Sequence, residues 1–584
     1  MKHFFLLSFC ILITLMSFGQ VKKTTPLKNA GTQDSFLDAN YIKALVSAHG
    51  LHFLDNESPG FEYPKGSGKH LAYATDMILS ARVAGSHNTY YFGNISGSFA
   101  EKPLHAGPIS NNYSNEEREK WEKGTWKITK YDVDYHRENW QTQGYQPSEV
   151  ILSWPANGNP DYGQMPVYAP FFDNNQNGLY EPMNGDYPEI RGDQSIFFVC
   201  TDSVDNFNQP VTGAMGLEVL GMGYAFNMIS NSVLHNTIFF HYDIVNRSAR
   251  NYTDVYLGFM FEGDIGDAND DYFGTDVENG MIYIYNGDSI DGNGEEWSYG
   301  VNPPAVGMKI IGGPYLPADG IDNPTGQCSY DINGLNVGDD IIDNERFGMT
   351  KSIYPNNSGV PWPTEGNYFN YMRGQWNDGT YLTFGGNGRP VSGAVGPICN
   401  FMFPDVSDTL CNWGTNGALP NGGYNQNGYF WNEETTENFP GDRSGIGSIG
   451  PFNLKSGESI PLDVAFTVSQ SDNGALVSRN NLRFNANYIS KNAKEILCQC
   501  GETYGNGGDL AKALRVFPNP AKDRIGVFSE NKDLQEYRIY NLTGCLVQAG
   551  MLVQGNNQLK ISSLTPGFYV IKSGQTSTKI IVIE

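Results

Sequence analysis

The chain is short of basic residues: Lys and Arg number 38 against 63 Asp and Glu, a formal net charge of −25 over 584 residues. Phosphate backbones need clustered Lys and Arg to displace their counterions. The balance therefore argues against nucleic acid and suits a solvated exterior or cation binding. Histidine is scarce, with 9 residues, all before Tyr242 and none in His-Glu-x-x-His spacing, which removes a zinc peptidase. His235 and His241 lie about one strand and read as core or surface residues. No Gly-x-Ser-x-Gly turn or Cys–His signature marks a nucleophile. Gly66-Ser67-Gly68-Lys69 ends in His70 and lacks the upstream glycine of a phosphate loop. No repeat of propeller or solenoid length is present. Beyond the N-terminal run FFLLSFCILITLM, no stretch reaches the roughly 18 apolar residues of a membrane helix. Cysteine is sparse, with 8 residues. Cys10 sits in that apolar run, which leaves Cys200, Cys328, Cys399, Cys411, Cys498, Cys500 and Cys545, an odd set. Cys399 and Cys411 flank a short loop and are the best-placed pair. Cys498-Gln499-Cys500 has the spacing of neither a redox pair nor a zinc knuckle.

In their place stand 68 Gly, 31 Pro, 34 Tyr and 33 Phe. Aromatic and β-branched segments between Gly, Asn, Asp and Pro turns predict an all-β protein: a large, sandwich-rich ectodomain with few helices. Residues 1–19 carry Lys2, the apolar run and a Ser17-Phe18-Gly19 cleavage pattern, as a secretory signal peptide does. A polar leader fills 20–34, and the ectodomain spans 35–497 as one unit or two subdomains. Strands are expected at Ser195–Thr201, Thr237–Asn246, Thr253–Phe261, Met281–Tyr285 and Leu462–Ser469. In the third, Val255, Leu257, Phe259 and Phe261 alternate with Tyr256, Gly258 and Met260, a strand with one face in the core. Leu37, Tyr41, Leu45 and His49 recur at near-helical spacing and predict a helix over Ser35–His49. A second helix carries Leu482, Ala486, Ile489, Ala493 and Ile496 on one face. A Gly-rich linker covers 498–513. Over 514–584, six or seven short strands predict a small immunoglobulin-like β-sandwich. There Tyr569 and Ile571 face one side and Phe568 and Val570 the other.

The C-terminal module also has a family likeness. Phe517-Pro518-Asn519-Pro520, Ile539-Tyr540-Asn541, Leu564-Thr565-Pro566-Gly567-Phe568-Tyr569 and a terminal Lys-plus-aliphatic strand resemble the type A C-terminal sorting domain of Bacteroidetes type IX secretion. The resemblance implies recognition by that secretion machinery after periplasmic folding and removal at the outer membrane. The cargo is then anchored to surface polysaccharide or released. Phrases of the body, among them Asn184-Gly185-Asp186-Tyr187-Pro188 and Tyr371-Met372-Arg373-Gly374-Gln375-Trp376, resemble long ectodomains that carry this domain. They imply architecture and location only.

The sharpest chemical signal is FFDNNQNGLYEP. Asp173, Asn175, Asn177, Gly178 and Glu181 occupy positions 1, 3, 5, 6 and 9 of a D-x-N-x-N-G calcium loop, with the Leu179 carbonyl as backbone ligand. Position 12 is Asn184 instead of a bidentate Glu, and Asp186 is the expected substitute. An ordinary Asx-rich turn is the competing reading. A second calcium site is expected at Asp264, Asp267, Asp270 and Asp271, after Glu262; a solvated acidic loop competes with it. Paired carboxylates there would also serve a secreted polysaccharide hydrolase. Arg191-Gly192-Asp193 is a tripeptide that recurs by chance. Trp362, Tyr368, Tyr371, Trp376, Tyr381, Trp413, Tyr424, Tyr429 and Trp431 form either a sugar-stacking platform or core. The reading is an exported, calcium-stabilised, non-catalytic surface or secreted protein for adhesion, glycan binding or envelope structure. No catalytic residues are assigned, and the hydrolase is the alternative.

Overall fold

The computed structural model describes residues 34–497 except 56–57, 95–103, 112–114, 123, 204–212, 324–332, 356–364, 408–423 and 425–426. It also describes residues 515–582 except 518–520, 530–534, 542–545, 563, 565–566 and 574–575. The expected signal peptide, most of the leader, the Gly-rich linker, Cys328, Cys411, Cys498, Cys500, Cys545, Trp362 and Trp413 lie outside the described residues.

Alternating aromatic and aliphatic segments build two nine-stranded sheets. In the first, Tyr252–Gly263 lies centrally, antiparallel to His70–Val83 on one side and to Arg443–Leu454 on the other. In the second, the path runs Thr125–Thr129, Gln194–Thr201, Leu217–Ala225, Thr237–Asn246, Ser459–Ser469, Ala305–Gly312, Met281–Asn286 and Asp271–Asp276. Rings from both sheets meet between them. Phe259 and Phe261 of the first sheet lie 6.4 and 5.6 Å from Phe466 of the second, and Phe240 lies 5.8 Å from Phe466. Burying each such side chain contributes about 1.5–3 kcal/mol.

The expected strands are present, but their burial differs from the expectation. Met260, on the face predicted to be outward, is 1% exposed, as buried as Phe259. The reason is tertiary: further layers cover both sheets. The helix Glu365–Tyr371 and the turns after it lay Tyr368, Met372 and Trp376 into the main core beside the first sheet. On the second, Trp121, Ile151 and Trp154 cover Phe197, Val199 and Met222, beside the sheet's own Trp126. The helix Ala475–Lys491 seats Leu482 and Ala486 on Tyr283 and Tyr285, as its periodicity predicts. Asn492 caps that helix, and a short continuation, Ala493–Leu497, buries Ile496.

The predicted helix over Ser35–His49 is not formed. Ser35–Leu37 and Lys43–Val46 instead make a hairpin, with Phe36 opposite Leu45. Asn40 decides it. Its Oδ1 accepts the Ile42 N–H (3.0 Å) and its Nδ2 donates to the Thr237 carbonyl (2.9 Å), which fixes a turn inside the supposed helix.

Residues 515–582 form a sandwich with its own core. Arg515–Phe517, Arg524–Ser529 and Gly555–Lys560 make one sheet. Leu546–Leu552, Gln535–Asn541, Gly567–Ser573 and Thr576–Val582 make the other. Ile525, Val527, Ile539, Tyr569, Ile571 and Ile580 fill the space between, so Tyr569 and Ile571 are the inward pair. Among the described residues these strands pair only with one another.

Candidate metal sites

The Asp173 loop is pinched at its base by a two-residue ladder, Phe171 to Pro188 and Phe172 to Tyr187, with the Phe172 and Tyr187 rings stacked at 4.7 Å. Inside it the side-chain oxygens fold the backbone about themselves. Asp173 accepts the N–H groups of Asn177 (3.2 Å) and Gly178 (2.7 Å). Asn177 Oδ1 accepts the Leu179 N–H at 2.8 Å. Gly178 has φ +81° in open space, so the left-handed turn, not crowding, calls for glycine. The amides of Asn175 and Asn177 both donate to Glu181 Oε2, at 3.0 and 2.6 Å, which brings positions 3, 5 and 9 to one point. Those amide bonds hold the Glu181 carboxyl below its usual pKa. The asparagines present amide nitrogens to Glu181, so a cation there would require both amides to turn their oxygens inward; the residue types, Asp173, Asn175, Asn177, the Leu179 carbonyl and Glu181, and the glycine conformation fit a hard cation.

Asp186 has a different place from the one expected. Fully buried, it accepts the Asn174 N–H with Oδ1 (2.8 Å) and the Glu181 N–H with Oδ2 (2.7 Å). Burial raises its pKa against these bonds. It braces the two arms of the loop from beneath. Its carbonyl accepts from His136 Nε2 at 2.9 Å, which joins the loop to the helix Lys130–Asn139.

The second acidic group is divided. Asp267 caps a 3₁₀ turn through the Asn269 N–H at 3.1 Å. Asp270 accepts from Asn286 Nδ2 (2.6 Å) and the Gly292 N–H (2.9 Å); burial, with Asp291, Asp267 and Asp288 nearby, pushes its pKa up to about 7. Asp271 Oδ2 takes the Ile265 N–H at 3.0 Å, and burial raises its pKa strongly. Asp264 is grouped instead with Glu262 and Asp442, one ligand oxygen from each lying within 4.8 Å of the others. Asp442 could not be found by local spacing, because strand pairing alone brings it there.

The remaining motifs settle into structure. Arg191 Nη1 donates to the Leu497 carbonyl at 2.7 Å and Asp193 Oδ2 accepts the Asn227 N–H at 2.8 Å, so that tripeptide ties chain segments together. Tyr368, Tyr371, Trp376 and Trp431 are core, while Tyr381, Tyr424 and Tyr429 are exposed. Among the described residues, Cys200 and Cys399 are buried free thiols; Cys411, the expected partner of Cys399, lies outside them.

Residues 515–584 match the family model described as a secretion system C-terminal sorting domain. They are a type IX secretion sorting domain of the Bacteroidetes kind, and the protein is secreted or displayed on the outer surface. No helix among the described residues is long and apolar enough to cross a membrane. No curated protein matches the chain. Among solved structures, a polysaccharide lyase aligns over 94% of this chain and 46% of its own, at 7% identity and a TM-score of 0.20. The chain thus spans about half the length of that enzyme, and the likeness carries no argument.

Proposed function

We propose that the body of this exported protein is a non-catalytic, calcium-braced β-structure that works outside the cell in adhesion, glycan binding or envelope structure. The order of Asp173, Asn175, Asn177 and Glu181 about the left-handed Gly178, with both asparagine amides within hydrogen-bond reach of the Glu181 carboxylate, carries the reading. With the Leu179 carbonyl they supply oxygens in calcium-loop order once both amides turn. Two carboxylates place the affinity in the extracellular class, on the order of 10⁻⁴–10⁻³ M. A binding role is favoured by Tyr131 and Tyr135, 73% and 48% exposed, on the helix tied to this loop through His136. Their rings lie 5.8 Å apart, and exposed tyrosine faces suit stacking on sugars. The type IX machinery is the partner during export, through residues 515–584.

Calorimetric unfolding of the purified protein tests the brace. Millimolar calcium is expected to raise the melting temperature and a chelator to reverse the rise, in the parent but not in Asp173→Asn. Identical melting with calcium and with chelator would overturn the calcium brace.

A further inference from the structure

A separate arrangement of oxygens sits where the central strand of the first sheet ends. Glu262 pairs directly with Ser444, and Gly263 with Arg443. Asp264 follows and Asp442 precedes that last pair, just beyond the ends of the two strands. Residues directly opposite in an antiparallel pair point to the same face, as do residues two apart along a strand. Glu262 and Ser444 therefore share one face, and the carboxylates of Glu262, Asp264 and Asp442 bring an oxygen each within 4.8 Å. Like charges brought together across a strand pair are unfavourable, and a cation among them is a contact that all three carboxylates can share.

Ser444 supplies the second, independent observation. It is 1% exposed, and its Oγ has no hydrogen-bond partner among the described residues. A buried hydroxyl in that state costs about 1–3 kcal/mol, and its register partner Glu262 fixes the face it points to. A cation among the carboxylates gives that oxygen its missing contact. Glu262 is 5% exposed, Asp264 half-buried and Asp442 exposed, which makes a closed floor with an open mouth for an ion to enter. The backbone is held on both sides: the Asp264 N–H donates to the Leu71 carbonyl at 3.1 Å, and Tyr354 Oη donates to the Asp442 carbonyl at 3.1 Å.

We propose that Glu262, Asp264, Asp442 and Ser444 form a calcium site that fastens the end of Tyr252–Gly263 to the start of Arg443–Leu454. It closes the sheet where the long excursion after Lys351–Ile353 returns to it. Three carboxylates and a hydroxyl select a hard divalent cation over a soft one. The site is independent of the Asp173 loop, and its test is read separately.

Equilibrium dialysis of the purified full chain against calcium alone, with circular dichroism as the check on folding, decides the matter. Asp442→Asn, an isosteric change at an exposed residue, is expected to lose one equivalent of bound calcium relative to the parent. Ser444→Ala is expected to keep that equivalent with roughly tenfold weaker affinity. Asp173→Asn, run in parallel, removes calcium from the other loop and leaves this equivalent in place. Equal binding by the parent and Asp442→Asn overturns the site, whatever Asp173→Asn does. Should Asp442→Asn not fold, unchanged calcium affinity in Ser444→Ala overturns it instead.

Discussion

Replacing Asp186 by alanine should loosen the Asp173 loop more than removing any of its outward residues. The carboxylate is fully buried and accepts the N–H groups of Asn174 and Glu181 at 2.8 and 2.7 Å, one from each arm of the loop. A hydrogen bond to a charged group contributes about 1.5–3 kcal/mol, and a donor left buried without a partner costs a similar amount. Both donors lie at the edge of water, so solvent recovers part of the loss, and the expected cost is roughly 2–4 kcal/mol. Asp186→Asn keeps one acceptor and turns a donor toward the other N–H, so it should retain about half of that stability. Urea unfolding at pH 7 in excess calcium, with the midpoint and slope compared across the three proteins, measures it. The main-chain bond from His136 to the Asp186 carbonyl survives both changes, so the helix Lys130–Asn139 should stay in place. If both variants unfold within about 0.5 kcal/mol of the parent, a typical surface effect, the bracing role is wrong.

Gly178→Ala meets no steric neighbour but forces alanine to φ +81°. It should cost roughly 1–2 kcal/mol and weaken the calcium-dependent rise in melting temperature; unchanged calorimetry contradicts this. His52, fully buried with Nδ1 accepting the Ser47 N–H and Nε2 3.2 Å from the Tyr242 hydroxyl, is lowered by burial to a pKa of about 3. Its folded pKa is below the unfolded value of 6.5, so its contribution is complete above that pH and is lost as pH falls toward 3. The slope is about 1.4 kcal/mol per pH unit. His52→Gln should flatten the acid limb of the stability profile by one proton, and parallel profiles would refute the neutral assignment.

Local pattern made much of the fold legible. Alternation from Val255 to Phe261 located a strand that the structure extends to Tyr252–Gly263, and 3.6-residue periodicity located the Leu482–Ile489 face. Alternation could not show that Met260 is buried too, because its cover comes from residues about a hundred positions later. Over Ser35–His49 the spacing fitted a helix, but Asn40 bonds to Thr237, a partner no local window contains. At the candidate sites the contrast is the same. The Asp173 loop is contiguous, so ligand order could be read directly. Asp442 joins Asp264 only through the register of Tyr252–Gly263 with Arg443–Leu454. Asp186 was visible as an acid in the right neighbourhood, but its two backbone partners, and hence its role, needed coordinates.

The sandwich at 515–582 has a core and strand pairing of its own, so it can be removed without opening the sheets of the body. Immunodetection on intact cells, comparing the full chain with one truncated after Gly508, tests its role as an export address. The full chain should be found on the outer surface or in the medium, and the truncated chain held in the periplasm. A truncated chain that reaches the surface in equal amount would contradict the account.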